Sequence, residues 1–217
     1  NVPVLAPREE LPFVAHPWLE PALLYGGSYP SELASKFFVA EPSRPDVLEE
    51  QELPFEVVSL PGHSPGMVGI KAGGVFFTAD AYFGSEVLTR HVLPYTYDPG
   101  AALGSLERVL SEREAELFVP SHGQPTQDPT GEVEANAKAI EAAREALLRV
   151  LEASGREAGT CQLVRAVLSE LGIRPRSPGL FWLYASCLRG YLAWLGREGL
   201  VEPVLKGAGL CWRVIRA

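Results

Sequence analysis

The sequence has 217 residues, a formal net charge of −8 at pH 7 and 47% hydrophobic residues. An apolar fraction of this size permits a buried core, and the length suits one large or two small domains. The sequence contains neither an apolar run long enough to cross a bilayer nor a charged-then-apolar signal segment at its start, so we expect a soluble, cytoplasmic protein.

The charge is distributed unevenly along the chain. Residues 155–217 carry nine Lys and Arg against four Glu, whereas the rest of the chain is strongly acidic. This difference predicts two domains, at residues 1–135 and 136–217, and makes the second the only candidate for nucleic-acid binding.

The chain contains few cysteines, all in its last third. The three cysteines are an odd number and show no Cys-x-x-Cys spacing, which predicts buried free thiols rather than a disulfide; they are Cys161, Cys187 and Cys211. Few Cys, one Met and many Glu, Arg and Pro residues weakly favour a thermophilic source.

Prolines interrupt the first 54 residues repeatedly. Within them, residues 2–5 are typical of a strand and residues 17–25 of a short helix. Such a segment commonly covers an active site or packs on a neighbour. We expect its aromatic residues to serve packing more than substrate contact, and His16 to lie at the surface; the aromatic residues are Phe13, Trp18, Tyr25, Tyr29, Phe37 and Phe38.

Three short strands follow between residues 57 and 83. The apolar run at residues 57–60 is broken by the turn PGHSPG, and two further strands flank Gly73-Gly74, a hairpin signal. His63 lies in the turn and Asp80 follows the last of these strands. Because strand ends present side chains to ligands, a His and an Asp at neighbouring strand ends could share a metal ion.

Loops and helices alternate in the middle of the chain. Residues 84–98 are predicted to form a loop near the site, with Tyr95 and Tyr97 either contacting substrate or packing on the next helix. Asp98-Pro99 and Asp128-Pro129 each predict the start of a helix, because Asp caps well and Pro suits the first turn. The strand LFVPSHG lies between these helices and ends in His122.

The last 60 residues predict two helices followed by a hairpin. The helices cover residues 161–171 and 178–196, and the strands cover 201–205 and 210–215. This order resembles a winged-helix domain. The second helix is so apolar that we expect it to be buried on both sides, against its own domain and against the preceding part of the chain or a dimer partner, and not to read a DNA groove.

The motifs LPGHSPG, GVFFTAD and LFVPSHG occur in this order and together resemble the metallo-β-lactamase superfamily. In that family, a Pro-Gly-His turn and a Gly-Asp or Ala-Asp strand end carry metal ligands. The upstream His-x-His-x-Asp-His run of the family is absent, since no two of the four histidines lie two residues apart; they are His16, His63, His91 and His122. We expect the chain to be the C-terminal part of a longer protein, the alternative being a homologue that lost its metal.

The resemblance implies an α/β (α+β) fold, namely the C-terminal part of an αββα sandwich followed by the small winged-helix-like domain. It also implies that His63, Asp80 and His122 are metal ligands, with Asp80 bridging two ions and Asp80 and His122 acting in catalysis. Zinc is the expected metal, with iron or manganese as alternatives. An additional role for His91 as a ligand is disfavoured.

The expected activity is metal-dependent hydrolysis of a small ester or thioester by a metal-bound hydroxide. The alternatives are a metal-dependent ribonuclease or phosphodiesterase, and a non-catalytic nucleic-acid-binding or scaffold protein that uses the C-terminal tail. We therefore expect a small-molecule substrate as partner, disfavour nucleic acid, expect no membrane and leave a homodimer open. Fold alone does not name the substrate.

Overall fold

A computed structural model describes residues 3–215 of the chain. Within this range the structure has two short 3-10 helices, Ser31–Leu33 and Leu48–Glu50, and seven α-helices: α1 Leu11–Ala15, α2 Leu19–Tyr25, α3 Ser85–Arg90, α4 Pro99–Ser111, α5 Thr130–Ala153, α6 Thr160–Glu170 and α7 Pro178–Arg197. Its nine strands are β1 Leu5–Ala6, β2 Asp46–Val47, β3 Glu56–Ser59, β4 Val68–Ala72, β5 Val75–Ala79, β6 Leu117–Pro120, β7 Glu157–Gly159, β8 Val201–Lys206 and β9 Gly209–Val214. Val2, where the first strand was predicted to begin, lies outside the described residues.

A four-stranded sheet in the order β3-β4-β5-β6 carries the predicted site motifs. β3, β4 and β5 pair antiparallel, and β6 joins β5 in parallel. The hairpin between β4 and β5 turns at Gly73 and Gly74, whose φ angles of 55° and 79° match the left-handed turn that such short hairpins need. The predicted hairpin is therefore confirmed.

The two faces of this sheet differ in their surroundings. One face packs onto α4 and α5 through Phe76 and Phe118, which belong to the main hydrophobic core. The opposite face carries a cross-strand row of apolar side chains; these are Val57, Ile70, Phe77 and Val119. None of the four is among the described side chains that form or pack against the core, and Phe77 is 45% exposed. The described residues thus supply one covered and one open sheet face.

Both predicted helix starts after the site motifs are confirmed. The Asp98 carboxylate caps α4 by accepting hydrogen bonds from the backbone of Gly100 at 3.1 Å and of Ala101 at 3.3 Å. Asp128 Oδ1 accepts a bond from Thr130 N at 3.0 Å where α5 begins. The prediction of a continuous loop over residues 84–98 is wrong, because α3 lies inside it.

The C-terminal elements follow the order helix, helix, hairpin. A three-stranded sheet, β7-β9-β8, accompanies α6 and α7. Its resemblance to a winged helix stays a prediction, and so does the division into two domains. The proposed boundary at residue 135 lies inside α5, and one core cluster joins Leu60 of the site region to Leu195 of α7.

Two further expectations concern cysteines and membranes. All three cysteines are free, and Cys187 is buried as expected, whereas Cys161 is exposed. None of the helices within residues 3–215 combines the length and the apolar character needed to cross a bilayer.

Candidate metal centre

His63 is presented by a turn that only glycine can make. Gly62 has a φ of +138°, and a Cβ at this position would lie 2.5 Å from the Cα of Ala102 in α4. The Gly62 carbonyl also accepts hydrogen bonds from the backbone of Tyr97 at 2.8 Å and of Asp98 at 3.0 Å. The turn is therefore fixed against the N-terminus of α4, and the position of His63 is fixed with it.

The hydrogen bond of His63 determines which of its two ring nitrogens is available to bind a metal ion. Its Nδ1 lies 3.2 Å from the backbone oxygen of Tyr95. Because a carbonyl oxygen can only accept, Nδ1 must carry the proton in this contact, and in the neutral ring Nε2 keeps its lone pair. A carbonyl partner on the far nitrogen is the usual way in which a metal-binding histidine is oriented.

Asp80 lies at a distorted strand end. The pairing of β5 with β6 shifts register between Phe77 and Ala79, and Ala79 has a φ of +50°, which is uncommon for a residue with a side chain. Beyond this distortion, the Asp80 side chain is only 22% exposed. Its Oδ1 is buried and has no hydrogen-bond partner among the described residues. A buried carboxylate oxygen without a partner is costly, so this atom fits a bound cation.

His122 approaches Asp80 from the segment that follows β6. Ser121 N donates to Ala79 O at 2.9 Å, and His122 O accepts from Gly84 N at 2.8 Å, which ties the two strand ends together. The imidazole stacks on Phe83, with ring centroids 6.2 Å apart and planes inclined by 19°. Unlike His63, this side chain is largely exposed, at 64%.

The three predicted ligands converge on one carboxylate. His63 Nε2 lies 3.7 Å from Asp80 Oδ2, and His122 Nε2 lies 3.9 Å from Asp80 Oδ1. These distances exceed those of hydrogen bonds, and each imidazole faces a different oxygen. Imidazole nitrogen and carboxylate oxygen suit Zn²⁺. Within residues 3–215, no group of three or more His, Cys, Asp or Glu side chains, these three included, is arranged so that it could hold a metal ion, and their role as ligands stays a prediction.

A cleft of about 350 Å³ opens above Asp80. It lies between the N-terminal segment, the three converging side chains and α7; its lining residues are Glu10, Phe13, Glu20, Leu23, Phe37, His63, Ser64, Pro65, Asp80, Phe83, Tyr95, Tyr97, His122 and Leu183. The expectation that the N-terminal aromatics mainly serve packing fits Phe38, which is buried, but Phe13 and Phe37 line the cleft. His91 is exposed and does not contribute to it.

Tyr95 and Tyr97 both line the cleft; Tyr95 also packs against the main hydrophobic core, whereas Tyr97 is 42% exposed. Burial raises the pKa of Tyr95 above its ordinary value, so its phenol keeps its proton at neutral pH. The Tyr95 backbone orients His63, and the Tyr97 backbone bonds to Gly62. Packing is therefore confirmed for Tyr95 and not for Tyr97, and substrate contact by either tyrosine stays a prediction.

Sequence reasoning missed two residues that hold the site in place. Asn136 of α5 is 4% exposed, and its amide accepts from Phe83 N at 3.0 Å and donates to Phe83 O at 2.7 Å. Glu10 accepts a bond from Gly66 N at 2.6 Å and so anchors the His63 turn to the N-terminal segment. The sequence held one signal for the role of Asn136, namely a polar residue inside the apolar stripe of α5. It held no comparable signal for the role of Glu10.

The comparisons with known proteins concern both sequence and fold. The family model described as the metallo-beta-lactamase superfamily matches residues 1–122. A metallo-beta-lactamase family protein from Thermus thermophilus has a similar structure, with 22% identity and a TM-score of 0.67 over 98% of this chain and 72% of that one. A beta-lactamase domain protein from Burkholderia ambifaria is 18% identical, with a TM-score of 0.65 over 99% of this chain and 66% of its own. No curated protein matches the sequence.

Proposed function

Because the chain belongs to the metallo-beta-lactamase superfamily, whose fold serves metal-dependent hydrolysis, we propose that it hydrolyses a small ester or thioester. The observation that carries this proposal is the Asp80 carboxylate. An imidazole nitrogen faces each of its oxygens, and Oδ1 is buried without a partner among the described residues. A carboxylate in this setting can bridge two divalent cations.

Each of the three side chains has a distinct task in this proposal. His63 would hold one cation through Nε2, because its Nδ1–H is engaged by Tyr95 O. His122 would hold the other, and Asp80 would contact both. Zinc bound there would polarise the substrate carbonyl and lower the pKa of water. Further ligands are needed to complete such a centre, since the three residues alone do not close it.

The cleft supports a small substrate. Its volume of about 350 Å³ lies in the range of small-molecule sites, and its aromatic and aliphatic walls offer apolar surface to a substrate. Tyr95, Tyr97 and Phe83 surround the space beside His63 and would orient the acyl group. These features supply binding and orientation, and leave activation of the carbonyl to the bound cations.

A ribonuclease or phosphodiesterase is the weaker proposal. Binding of a polyanion relies on Lys and Arg side chains, yet neither type occurs among the described residues that line the cleft. The non-catalytic alternative, nucleic-acid binding or a scaffold role of the C-terminal tail, is also the weaker proposal. Eight residues of α7, including Leu188 and Leu192, are buried and cannot reach the groove of a nucleic acid.

The test combines metal analysis with a substrate panel. The protein expressed from its natural gene is loaded with zinc, and hydrolysis of matched ester, thioester and phosphodiester substrates is measured before and after chelation. We expect ester or thioester turnover that chelation abolishes and zinc restores. Faster phosphodiester turnover would favour the alternative, and turnover that survives complete metal removal would refute metal dependence.

A further inference from the structure

The walls of the cleft indicate what kind of group fits beside the reacting centre. Phe13 comes from α1, Phe83 from the loop after β5, and Leu183 from α7. These side chains are apolar and come from three separate parts of the chain. Burial of an apolar group between them is favourable by about 25 cal/mol per Å² of surface removed from water.

The charges around the cleft all have one sign. Besides Asp80, the acidic lining residues are Glu10 and Glu20 on the N-terminal side, and neither Lys nor Arg is present among the lining residues within the described range. Glu10 is held in place by its bond to Gly66 N. Burial is the main cause that raises the pKa of the Tyr95 phenol, and the charge of Glu20 adds to it. Although Glu20 is exposed as a residue, partial burial of its carboxyl raises the pKa of this group, so a nearby cation would stabilise the carboxylate.

We propose that the cleft prefers a substrate whose non-reacting part is an apolar group bearing a positive charge, accepts a neutral one and rejects an anionic one. Leu183 and Glu20 are the residues of this chain that determine the preference. The inference rests on the proposed function, since it assigns a substrate class to the same cleft. The proposed preference disfavours substrates whose acyl group or leaving group would place a carboxylate or a phosphate in the cleft.

The physical reason is the balance of desolvation and charge. An anionic group that enters the cleft loses hydration and meets Glu10 and Glu20 without a compensating Lys or Arg among the described lining residues. An ammonium group loses hydration as well, but two carboxylates offset this cost. At separations of several ångströms such interactions amount to roughly 1 kcal/mol in a largely solvated site, or about fivefold in affinity.

The test measures binding without metal. 4-Phenylbutylammonium, 4-phenylbutanol and 5-phenylpentanoate share the same phenylbutyl body and differ in the charge of the terminal group, and each is titrated by calorimetry into the metal-free chain of 217 residues. We expect the ammonium compound to bind roughly fivefold more tightly than the carboxylate, with the alcohol between them. Equal or tighter binding of the carboxylate, or no binding of any probe, would overturn the proposal.

Single substitutions in the cleft, each paired with a control substitution outside it, test which residues cause the preference for a cationic, apolar group. Glu20→Gln should reduce the ratio of the ammonium to the carboxylate affinity by roughly threefold, whereas Glu107→Gln, an exposed glutamate of α4 outside the cleft, should leave it unchanged. Leu183→Ala should weaken all three probes alike, and Leu205→Ala, 80% exposed in β8, should not. An unchanged ratio in Glu20→Gln would contradict the assignment.

The two proposals fail separately in these experiments. Probe binding needs no metal and no turnover, so it can hold even if the protein is not a hydrolase. Conversely, zinc-dependent turnover of an ester together with a preference for anionic probes would retain the proposed function and reject this inference.

Discussion

At the scale of single residues, two candidate metal ligands share an uncommon backbone feature. Gly62 directly precedes His63 and has a φ of +138°, and Ala79 directly precedes Asp80 and has a φ of +50°. Left-handed backbone conformations often occur at functional sites, where the surrounding structure enforces them. In this chain, the contact of Gly62 with α4 and the register shift between β5 and β6 impose them.

Gly62→Ala tests the first of these positions. We expect the free energy of unfolding to fall by about 2–4 kcal/mol, because the substitution combines an unfavourable φ with a clash against the backbone of α4. Gly104→Ala in α4 is the control: nothing lies within 4 Å of its added methyl group, and alanine should stabilise the helix by about 0.5–1 kcal/mol. Equal stabilities of the two variants in urea denaturation would refute the steric account.

Cys187 predicts a pH dependence of stability. Burial raises the pKa of this thiol from 9.0 to about 12, so the folded protein keeps a proton that the unfolded chain loses above pH 9. Its contribution to stability is therefore fully present below pH 9 and is lost as the pH rises towards 12. We expect the free energy of unfolding to decline between about pH 9 and 10 because of Cys187. Burial also raises the pKa of Tyr82, from 10.0 to about 12, so Tyr82 adds to the decline only above pH 10.

Cys187→Ala should reduce that slope, whereas Cys161→Ala should not, since Cys161 is exposed. The measurement is chemical denaturation at several pH values in the window. A slope that is the same in Cys187→Ala and in the unsubstituted protein would contradict the prediction.

At the scale of elements, α7 fixes the loop that carries Tyr95 and Tyr97. Arg197 Nη2 donates to both carboxylate oxygens of Asp98 at 2.7 Å, and a Cβ on Gly190 would lie 2.6 Å from Tyr97 O. At the other end of the helix, Trp182 packs edge-to-face on Tyr25, with centroids 4.8 Å apart. The helix therefore contacts the preceding part of the chain at several positions, as expected from its apolar sequence.

Gly190→Ala should disturb this arrangement. The added methyl group would push on the backbone oxygen of Tyr97, and we expect a net loss of about 1–2 kcal/mol of stability after the gain in helix propensity. Gly196→Ala in the same helix meets only ordinary contacts at 3.7 Å and 3.8 Å, and should be neutral or slightly stabilising. Thermal unfolding of both variants checks this expectation, and a Gly190→Ala protein at least as stable as Gly196→Ala would contradict it.

The sequence predicted those elements that local chemistry specifies. Gly73-Gly74 predicted the hairpin, and Asp98 and Asp128 predicted the starts of α4 and α5, because each signal acts within a few residues. Helix α3 escaped prediction because it has six residues and no side-chain cap. The roles of Asn136, Glu10 and Leu183 could not be predicted, since they depend on contacts between elements distant in sequence.

At the scale of the whole molecule, the open face of the four-stranded sheet is unusual for a protein in water, because it presents apolar side chains that no other described element covers. Four neighbouring strands contribute apolar side chains to it, in the row from Val57 to Val119. Large exposed apolar patches mark interaction surfaces. The sandwich implied by the family would place its second sheet over this face.

Phe77→Asp discriminates between a covered and a solvated face. In the protein expressed from its natural gene, we expect this substitution to cost more than about 3 kcal/mol, because it would bury a charge without a partner. Leu205→Asp, at an 80% exposed strand position, should change stability by less than about 1 kcal/mol. Similar small effects of both substitutions would show that Phe77 is solvated and that no second sheet covers it.

The metal content of Asp80→Asn tests the central claim most directly. Asparagine keeps the shape of the side chain and removes the charge that would offset the repulsion between two cations. We expect zinc affinity to fall by more than about 100-fold, since even residues that merely orient a ligand are worth roughly 10- to 100-fold. Ester turnover should fall with it, while Asp46→Asn, at an exposed position in β2, should retain both. Elemental analysis that finds wild-type zinc in Asp80→Asn, together with wild-type turnover, would contradict the account.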